Sequence, residues 1–119
     1  MANVKLREIA RARSGDKGSG ANVGIIAYSS EGYAFLEDAL TAETVEDFYK
    51  GMGVGEVTRY LMPNLEAMNF MLPDILAGGG SRSLRVDAQG KTLGMALLEM
   101  DIEVPDEVLA VSKRKDGEL

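Results

Sequence analysis

The spacing of apolar residues along the chain predicts four β-strands. In residues 4–13 (VKLREIARAR), small and apolar residues occupy most even positions, and basic residues occupy most odd positions. Residues 22–29 (NVGIIAYS) are a short apolar run, and residues 55–63 (GEVTRYLMP) are a further candidate strand. Residues 97–105 (LLEMDIEVP) alternate most cleanly, so this last strand has one apolar side and one acidic side.

Helical spacing is found in two segments. Residues 31–51 predict two consecutive helices, with Thr41 as the N-cap of the second helix and Gly51 at its C-terminal end. Asn64 is placed to cap a further helix through residues 65–72 (LEAMNFML). We therefore expect three helices before the glycine-rich segment in the second half of the chain.

The C-terminal third is less regular. Residues 82–92 fit a hairpin that turns at residues 88–90, AQG. Residues 93–100 (LGMALLEM) fit a helix and a strand equally well. The residues after Pro105 are expected to fray.

Strands and helices that alternate along the chain in this way predict an α+β fold. The best match is a ferredoxin-like sandwich, a mainly antiparallel sheet with helices on one face. We expect one domain over residues 1–105 and a charged C-terminal tail over residues 106–119. Since the first and last strands are neighbours in such a sheet, we expect Lys5 and Arg7 to pair with the acids at positions 99–103.

Composition removes several kinds of chemistry. The chain has 119 residues, a net charge of −6, and neither cysteine nor histidine. A thiolate nucleophile, a disulfide, a zinc–thiolate site and a Ser-His triad are therefore excluded. The acidic balance disfavours nucleic acid as a partner. Since no signal peptide or membrane span is apparent, we expect a cytoplasmic protein with no membrane partner. We also expect no metal and no cofactor.

The stretch from Ala12 to Asn22, ARSGDKGSGAN, is the first candidate site. Its glycines would allow backbone N–H groups to converge on an anion, with Arg13 and Lys17 adding positive charge. Asp16 is the sole carboxylate of the stretch and hence the sole candidate general base there. Alternatively, the stretch is only a solvated turn that Asp16 shapes through backbone hydrogen bonds. The residues leave both interpretations open.

A second glycine cluster, AGGGSRS at residues 77–83, also carries an arginine and serines beside its glycines. We expect residues 13–22 and residues 78–83 to lie side by side and to form one anion-accepting pocket. Asn22 and Asn69 are then expected at the rim of this pocket as neutral donors.

Three stretches resemble a known family. ARSGDKGSGANVGIIA, MPNLEAMNF and AGGGSRSLRVDAQGK resemble, in this order, the small ferredoxin-fold domain of the acyclic terpene utilisation protein AtuA and its relatives. The likeness covers about residues 9–105, and RSGDKG followed by N-[VI]-G is its most specific part. In many relatives the small domain follows a much larger one, so this chain resembles a freestanding version.

The resemblance implies a small subunit or accessory module in bacterial, acyl-CoA-linked breakdown of branched or terpenoid acids. It also implies a separately encoded large AtuA-like protein as partner, and we expect a homo-oligomer. The alternative is a small hydratase-like or lyase-like enzyme in which Asp16 and Lys17 are catalytic. The other matched positions that we expect to bind a substrate or anion are Arg13, Ser14, Gly15, Gly18, Asn22, Asn69, Gly79, Gly80, Arg82 and Ser83.

Overall fold

The structure, a computed structural model, describes residues 2–17, 20–74 and 91–112; of residues 16, 17, 91 and 92 it describes the backbone alone. The described strands are β1 (Ala2–Lys5), β2 (Ala10–Lys17), β3 (Gly20–Ala27), β4 (Thr58–Met62), β5 (Ala67–Leu72) and β6 (Asp101–Val104). The described α-helices are α1 (Ser30–Ala39), α2 (Ala42–Phe48), α3 (Lys91–Leu98) and α4 (Asp106–Ser112). Short 3-10 turns cover Leu6–Glu8, Lys50–Met52 and Pro63–Leu65.

The strands form two antiparallel sheets. The larger sheet has the order β2-β3-β5-β4, and the smaller sheet pairs β1 with β6. The predicted α+β, ferredoxin-like arrangement with a mainly antiparallel sheet is confirmed. None of the described helices has both the length and the apolar character needed to span a bilayer.

The core lies between the larger sheet and the helices. Burial alternates with a period of two along β3, so Val23 and Ile25 are buried while the residues between them are partly exposed. Phe70 of β5 joins them from the next strand, and Leu36 of α1 and Leu93 of α3 cover them. The removal of these side chains from water is the main force that holds the helices on this face.

Tyr49 lies at the centre of this core, just after α2. Its ring is fully buried, and its hydroxyl donates a hydrogen bond to the carbonyl oxygen of Leu93 in α3. Burial raises the pKa of the Tyr49 hydroxyl well above the ordinary tyrosine value. The bond satisfies a polar group that would otherwise be unpaired in the core.

The opposite side of the larger sheet, here called the outer sheet face, follows from the strand register. Since side chains alternate between the two faces of a sheet, residues paired across neighbouring strands share a face. Three rows of paired residues form this face: Gly15–Asn22–Met71–Thr58, Arg13–Gly24–Asn69–Tyr60 and Arg11–Ile26–Ala67–Met62.

The helix ends show which capping predictions hold. The Thr41 hydroxyl accepts a hydrogen bond from the Thr44 N–H at 3.2 Å, which confirms Thr41 as the N-cap of α2. The predicted role of Gly51 is wrong. The chain instead turns at Gly53, which has a left-handed φ of 80° and ends the 3-10 turn after α2.

At the end of α1, Arg59 of β4 donates hydrogen bonds to two main-chain carbonyl oxygens, at 2.8 and 2.9 Å.

The single strand predicted over residues 4–13 is divided into β1 and β2. The 3-10 turn between them buries Leu6, whose N–H donates to the Met100 carbonyl at 2.9 Å. Ile9 is also fully buried. The break therefore allows Leu6 and Ile9 both to be buried, whereas a continuous strand would have placed their side chains on opposite faces.

The helix predicted over residues 65–72 is also wrong, because this segment forms the central strand β5. Met68, Phe70 and Leu72 are fully buried with a period of two, between the neighbours β3 and β4. Asn64 lies instead in the 3-10 turn before β5. Hydrogen bonding to two strands outweighs the local helical spacing of the apolar residues.

Residues 93–112 are more regular than predicted. The ambiguous segment 93–100 is largely helix, since it contains most of α3. Residues 106–112, which were expected to fray, form α4, in which Ser112 is fully buried. The Ser112 hydroxyl lies 2.7 Å from the hydroxyl of Ser29, the N-cap of α1. The hairpin predicted at residues 88–90 lies outside the described residues.

Two ion pairs join β1 and the following turn to the region of β6. Lys5 lies 2.9 Å from Asp101, and Arg7 lies 2.5 Å from Glu99. The predicted neighbourhood of the first and last strands is confirmed. These two cations therefore have a structural explanation, which separates them from Arg11 and Arg13 on β2.

Candidate ligand site on the outer sheet face

A cavity of about 600 Å³ opens on the outer sheet face. Its volume is within the range of small-molecule sites, about 300–1,000 Å³. The residues that line it come from four strands and from the turn between β4 and β5: Arg11, Arg13, Ser14, Gly15, Asn22, Gly24, Ile26, Met62, Leu65, Ala67 and Asn69.

One side of the cavity is basic. Arg11 and Arg13 are exposed residues of the edge strand β2, two positions apart and hence on the same face. Within the described part of the chain, neither guanidinium has an ion-pair partner, and no carboxylate lines the cavity. This part of an acidic protein therefore carries local positive charge that is available to an anion.

The middle of the cavity is polar and uncharged. The Asn22 amide nitrogen donates a hydrogen bond to Asn69 Oδ1 at 3.3 Å. Asn69 Nδ2 has the Met71 sulfur as its acceptor at 3.7 Å, and a thioether sulfur is a weak acceptor. A Cβ at Gly15 would lie 3.1 Å from Asn22 Oδ1, so any larger residue at this position would crowd the Asn22 amide.

The other side is apolar. Ile26, Met62, Leu65 and Ala67 line it. The 3-10 turn Pro63–Leu65 carries Leu65, which remains 67% exposed. A cavity with cations at one side and aliphatic side chains at the other suits an amphiphilic anion, such as a carboxylic acid with a hydrocarbon chain.

Four of the predicted site residues come together here. Arg13, Gly15, Asn22 and Asn69 all line this cavity, although Asn69 follows Asn22 by 47 residues. Ser14 lines its edge, but the Ser14 hydroxyl faces α3, because a Cβ at Gly94 would lie 2.5 Å from it. Ser14 therefore does not present its hydroxyl on the same face as Arg13.

The interpretation of residues 12–22 as a loop with converging N–H groups needs correction. Gly15, Asp16 and Lys17 of β2 pair with Asn22, Ala21 and Gly20 of β3. The described residues of the stretch therefore follow the extended ladder of two antiparallel strands, in which their backbone N–H groups do not converge on an anion. At these residues a ligand is held by side chains on the outer sheet face.

The remaining predicted residues are not placed. The side chains of Asp16 and Lys17, and the residues Gly18, Gly79, Gly80, Arg82 and Ser83, lie outside the described part of the chain. Their catalytic and binding roles stay predictions, as does the contact between residues 13–22 and residues 78–83.

The sequence reasoning missed part of the site. The basic odd positions of residues 4–13 include Arg11 and could form an anion-binding face, but Arg11 was not among the predicted site residues, and the four apolar residues were not either. The period of two in β2 contains the signal for Arg11, since Arg11 and Arg13 must share a face. The apolar side had no local signal, because β3, β4, the turn before β5 and β5 each contribute a single residue to it.

Comparison with known proteins gives one match. The family model of the AtuA ferredoxin-like domain matches residues 4–103. Searches of the curated proteins and of the solved structures each return no significant match. The matched segment includes every residue that lines the cavity.

Proposed function

The chain belongs to the AtuA ferredoxin-like domain family, and on that premise we propose that it is a binding or accessory module for a branched-chain carboxylate. The observation that carries this proposal is the division of the cavity. Arg11 and Arg13 supply positive charge at one side, and Ile26, Met62 and Leu65 supply aliphatic contact at the other.

The basic side selects an anion. A guanidinium binds a carboxylate through two parallel hydrogen bonds, and each charge-assisted bond contributes about 1.5–3 kcal/mol. Since no acid among the described lining residues competes for Arg11 or Arg13, both remain available to the ligand. A neutral amide of the same carbon skeleton would lack this interaction.

The apolar side selects the chain of the acid. Each buried methylene group contributes about 0.8 kcal/mol, so two further methylene groups in contact would tighten binding about 15-fold. Leu65 is mainly exposed in the unliganded protein, and a bound hydrocarbon would cover it. Branched or terpenoid acids match this combination of one charge and a broad aliphatic body.

We place this binding in acyl-CoA-linked breakdown of such acids, with a separately encoded large AtuA-like protein as partner. The resemblance of RSGDKG and N-[VI]-G to the AtuA relatives is the ground for this placement, while the family match shows the domain alone. The lining also favours a holding role over a catalytic one, since its described ionisable side chains are two arginines and include no carboxylate, lysine or tyrosine that could serve as a general base. Co-expression with the large protein, followed by size-exclusion chromatography, tests the partner. Separate elution at micromolar concentrations would contradict it.

Calorimetric titration tests the ligand. We expect the wild-type protein to bind a branched-chain carboxylate, to bind the matching amide much more weakly, and to discriminate between the free acid and its CoA ester. Arg13→Ala should weaken binding of the carboxylate about tenfold or more. Lys50→Ala removes an exposed cation outside the cavity and is the control for net charge. Unchanged affinity in both Arg11→Ala and Arg13→Ala would overturn the proposal.

A further inference from the structure

Gly24 lies in the middle of the central strand β3, in the row between Arg13 and Asn69. Among the described residues, a Cβ at this position would have two neighbours, Arg13 O and Asn69 Oδ1, both at 3.7 Å, which is ordinary van der Waals contact. Gly53 is the described glycine with a positive φ, so the backbone of Gly24 is open to any residue. The described part of the fold therefore does not require glycine here.

Three other glycines of the described chain differ in this respect. A Cβ at Gly94 would lie 2.5 Å from the Ser14 hydroxyl, and one at Gly32 would lie 3.1 Å from the Ser112 hydroxyl. At Gly15 it would lie 3.1 Å from Asn22 Oδ1. Close packing accounts for each of these three, but it does not account for Gly24.

Glycine weakens the interior of a strand, because it adds conformational freedom to the unfolded chain and offers no side chain to pack. A strand glycine that the fold does not need marks a place where something approaches the backbone closely. The cavity lies directly over Gly24. We infer that Gly24 is the floor of the carboxylate subsite and determines which head groups can enter; this inference rests on the proposed function.

The width of the subsite follows from sheet geometry. Neighbouring strands lie about 4.8 Å apart, so the backbones that carry Arg13 and Asn69 are about 9.6 Å apart, with Gly24 between them. The missing side chain leaves a slot about one side chain wide. A planar carboxylate fits flat in this slot, with its oxygens toward the Arg13 guanidinium.

The two flanks of the slot differ. Arg13 supplies its guanidinium as a donor, whereas Asn69 places Oδ1 3.7 Å from the position of a Gly24 Cβ and directs Nδ2 to the Met71 sulfur at 3.7 Å. Asn69 Oδ1 accepts a hydrogen bond from the Asn22 amide, which holds this flank in place and limits the width of the slot. The slot should therefore prefer a flat carboxylate to a bulkier tetrahedral sulfonate on the same hydrocarbon chain.

Two substitutions test the inference. We expect Gly24→Ala to fold with an unchanged or higher thermal midpoint, and to bind a branched-chain carboxylate at least tenfold more weakly by calorimetry. Gly24→Val should abolish measurable binding and retain the fold. Gly51→Ala is the matched control, because Gly51 is exposed, has open space around it and lies outside the cavity. Its affinity should equal that of the wild type.

The outcomes separate this inference from the proposed function. If Arg13→Ala loses affinity and a folded Gly24→Val does not, the role of Gly24 is overturned and the proposed function stands. If the wild type binds no branched-chain carboxylate, both are overturned. A lower thermal midpoint for Gly24→Ala would show that the fold requires the glycine, and this would overturn the inference whatever the ligand is.

Discussion

Replacing Tyr49 by phenylalanine removes one buried hydrogen bond and keeps the aromatic ring. The hydroxyl of Tyr49 donates to the carbonyl oxygen of Leu93, so this bond links the end of α2 to the first turn of α3. The ring also packs edge-on against Phe48, with ring centroids 5.0 Å apart. Since this packing survives the substitution, the change in stability reports mainly on the hydrogen bond.

The expected loss in the free energy of unfolding is about 1 kcal/mol, because a buried hydrogen bond contributes a net ~0.5–1.5 kcal/mol. For a chain of 119 residues, this lowers the thermal midpoint by about 3–5 °C. Tyr60→Phe is the matched control, since Tyr60 is 55% exposed. Its free energy of unfolding should stay within about 0.5 kcal/mol of the wild-type value.

The same substitution changes the dependence of stability on pH. In the unfolded chain tyrosine ionises near pH 10, whereas burial raises the pKa of Tyr49 in the folded protein. The unfolded state therefore loses this proton first, and the contribution of Tyr49 to stability falls as the pH rises above about 10. The advantage of the wild type over Tyr49→Phe should shrink by about 1.4 kcal/mol per pH unit and reverse between about pH 10.5 and 11.

Urea unfolding of both proteins, followed by circular dichroism at several pH values from about 8 to 11, measures the difference. Subtracting the two proteins removes the contribution of the groups that they share. The reasoning is refuted if Tyr49→Phe is as stable as the wild type near neutral pH. It is also refuted if the difference between the two proteins stays constant above about pH 10.

Two further substitutions test the packing and the surface charges. Gly94→Ala should destabilise the protein by about 1–3 kcal/mol although alanine favours helix, because the new Cβ would lie 2.5 Å from the Ser14 hydroxyl and 3.2 Å from Ala12 Cβ. This loss, measured by thermal unfolding, should be smaller in a Ser14→Ala background. Arg7→Ala breaks the exposed pair with Glu99 and should change stability by less than about 1 kcal/mol, an effect that salt should abolish. A larger loss that persists in high salt would contradict this view of the pair.

Local signals in the sequence were sufficient where a feature depends on a few neighbouring residues. Thr41 was identified as an N-cap because its hydroxyl needs only the N–H of a residue three positions later. The acidic alternation of residues 99–103 was matched to Lys5 and Arg7, and two of the expected pairs are formed. The N-cap follows from short-range geometry. The ion pairs follow from the fold class, in which the first and last strands are neighbours.

Local signals failed where pairing between strands decides the structure. The spacing of Leu65, Met68 and Leu72 suits a helix, yet Met68 and Leu72 lie in the strand between β3 and β4. Residues 12–22 were interpreted as a loop because they are rich in glycine, yet Gly15 pairs with Asn22 in a hairpin. In each case backbone hydrogen bonds to other strands outweigh the local preference.

By itself, the sequence determined the α+β class, the family to which the chain is similar, the absence of thiol and imidazole chemistry, and the presence of Arg13, Asn22 and Asn69 in one candidate site. Only the tertiary structure decided how that site is built. It placed β5 beside β3, which brought Asn69 to Asn22, and it added an apolar side through Met62 and Leu65. The physical reason is that strand order and register depend on hydrogen bonds and burial between residues far apart in the chain. Local periodicity shows which residues share a face of a strand, but it does not show which strand lies next to it.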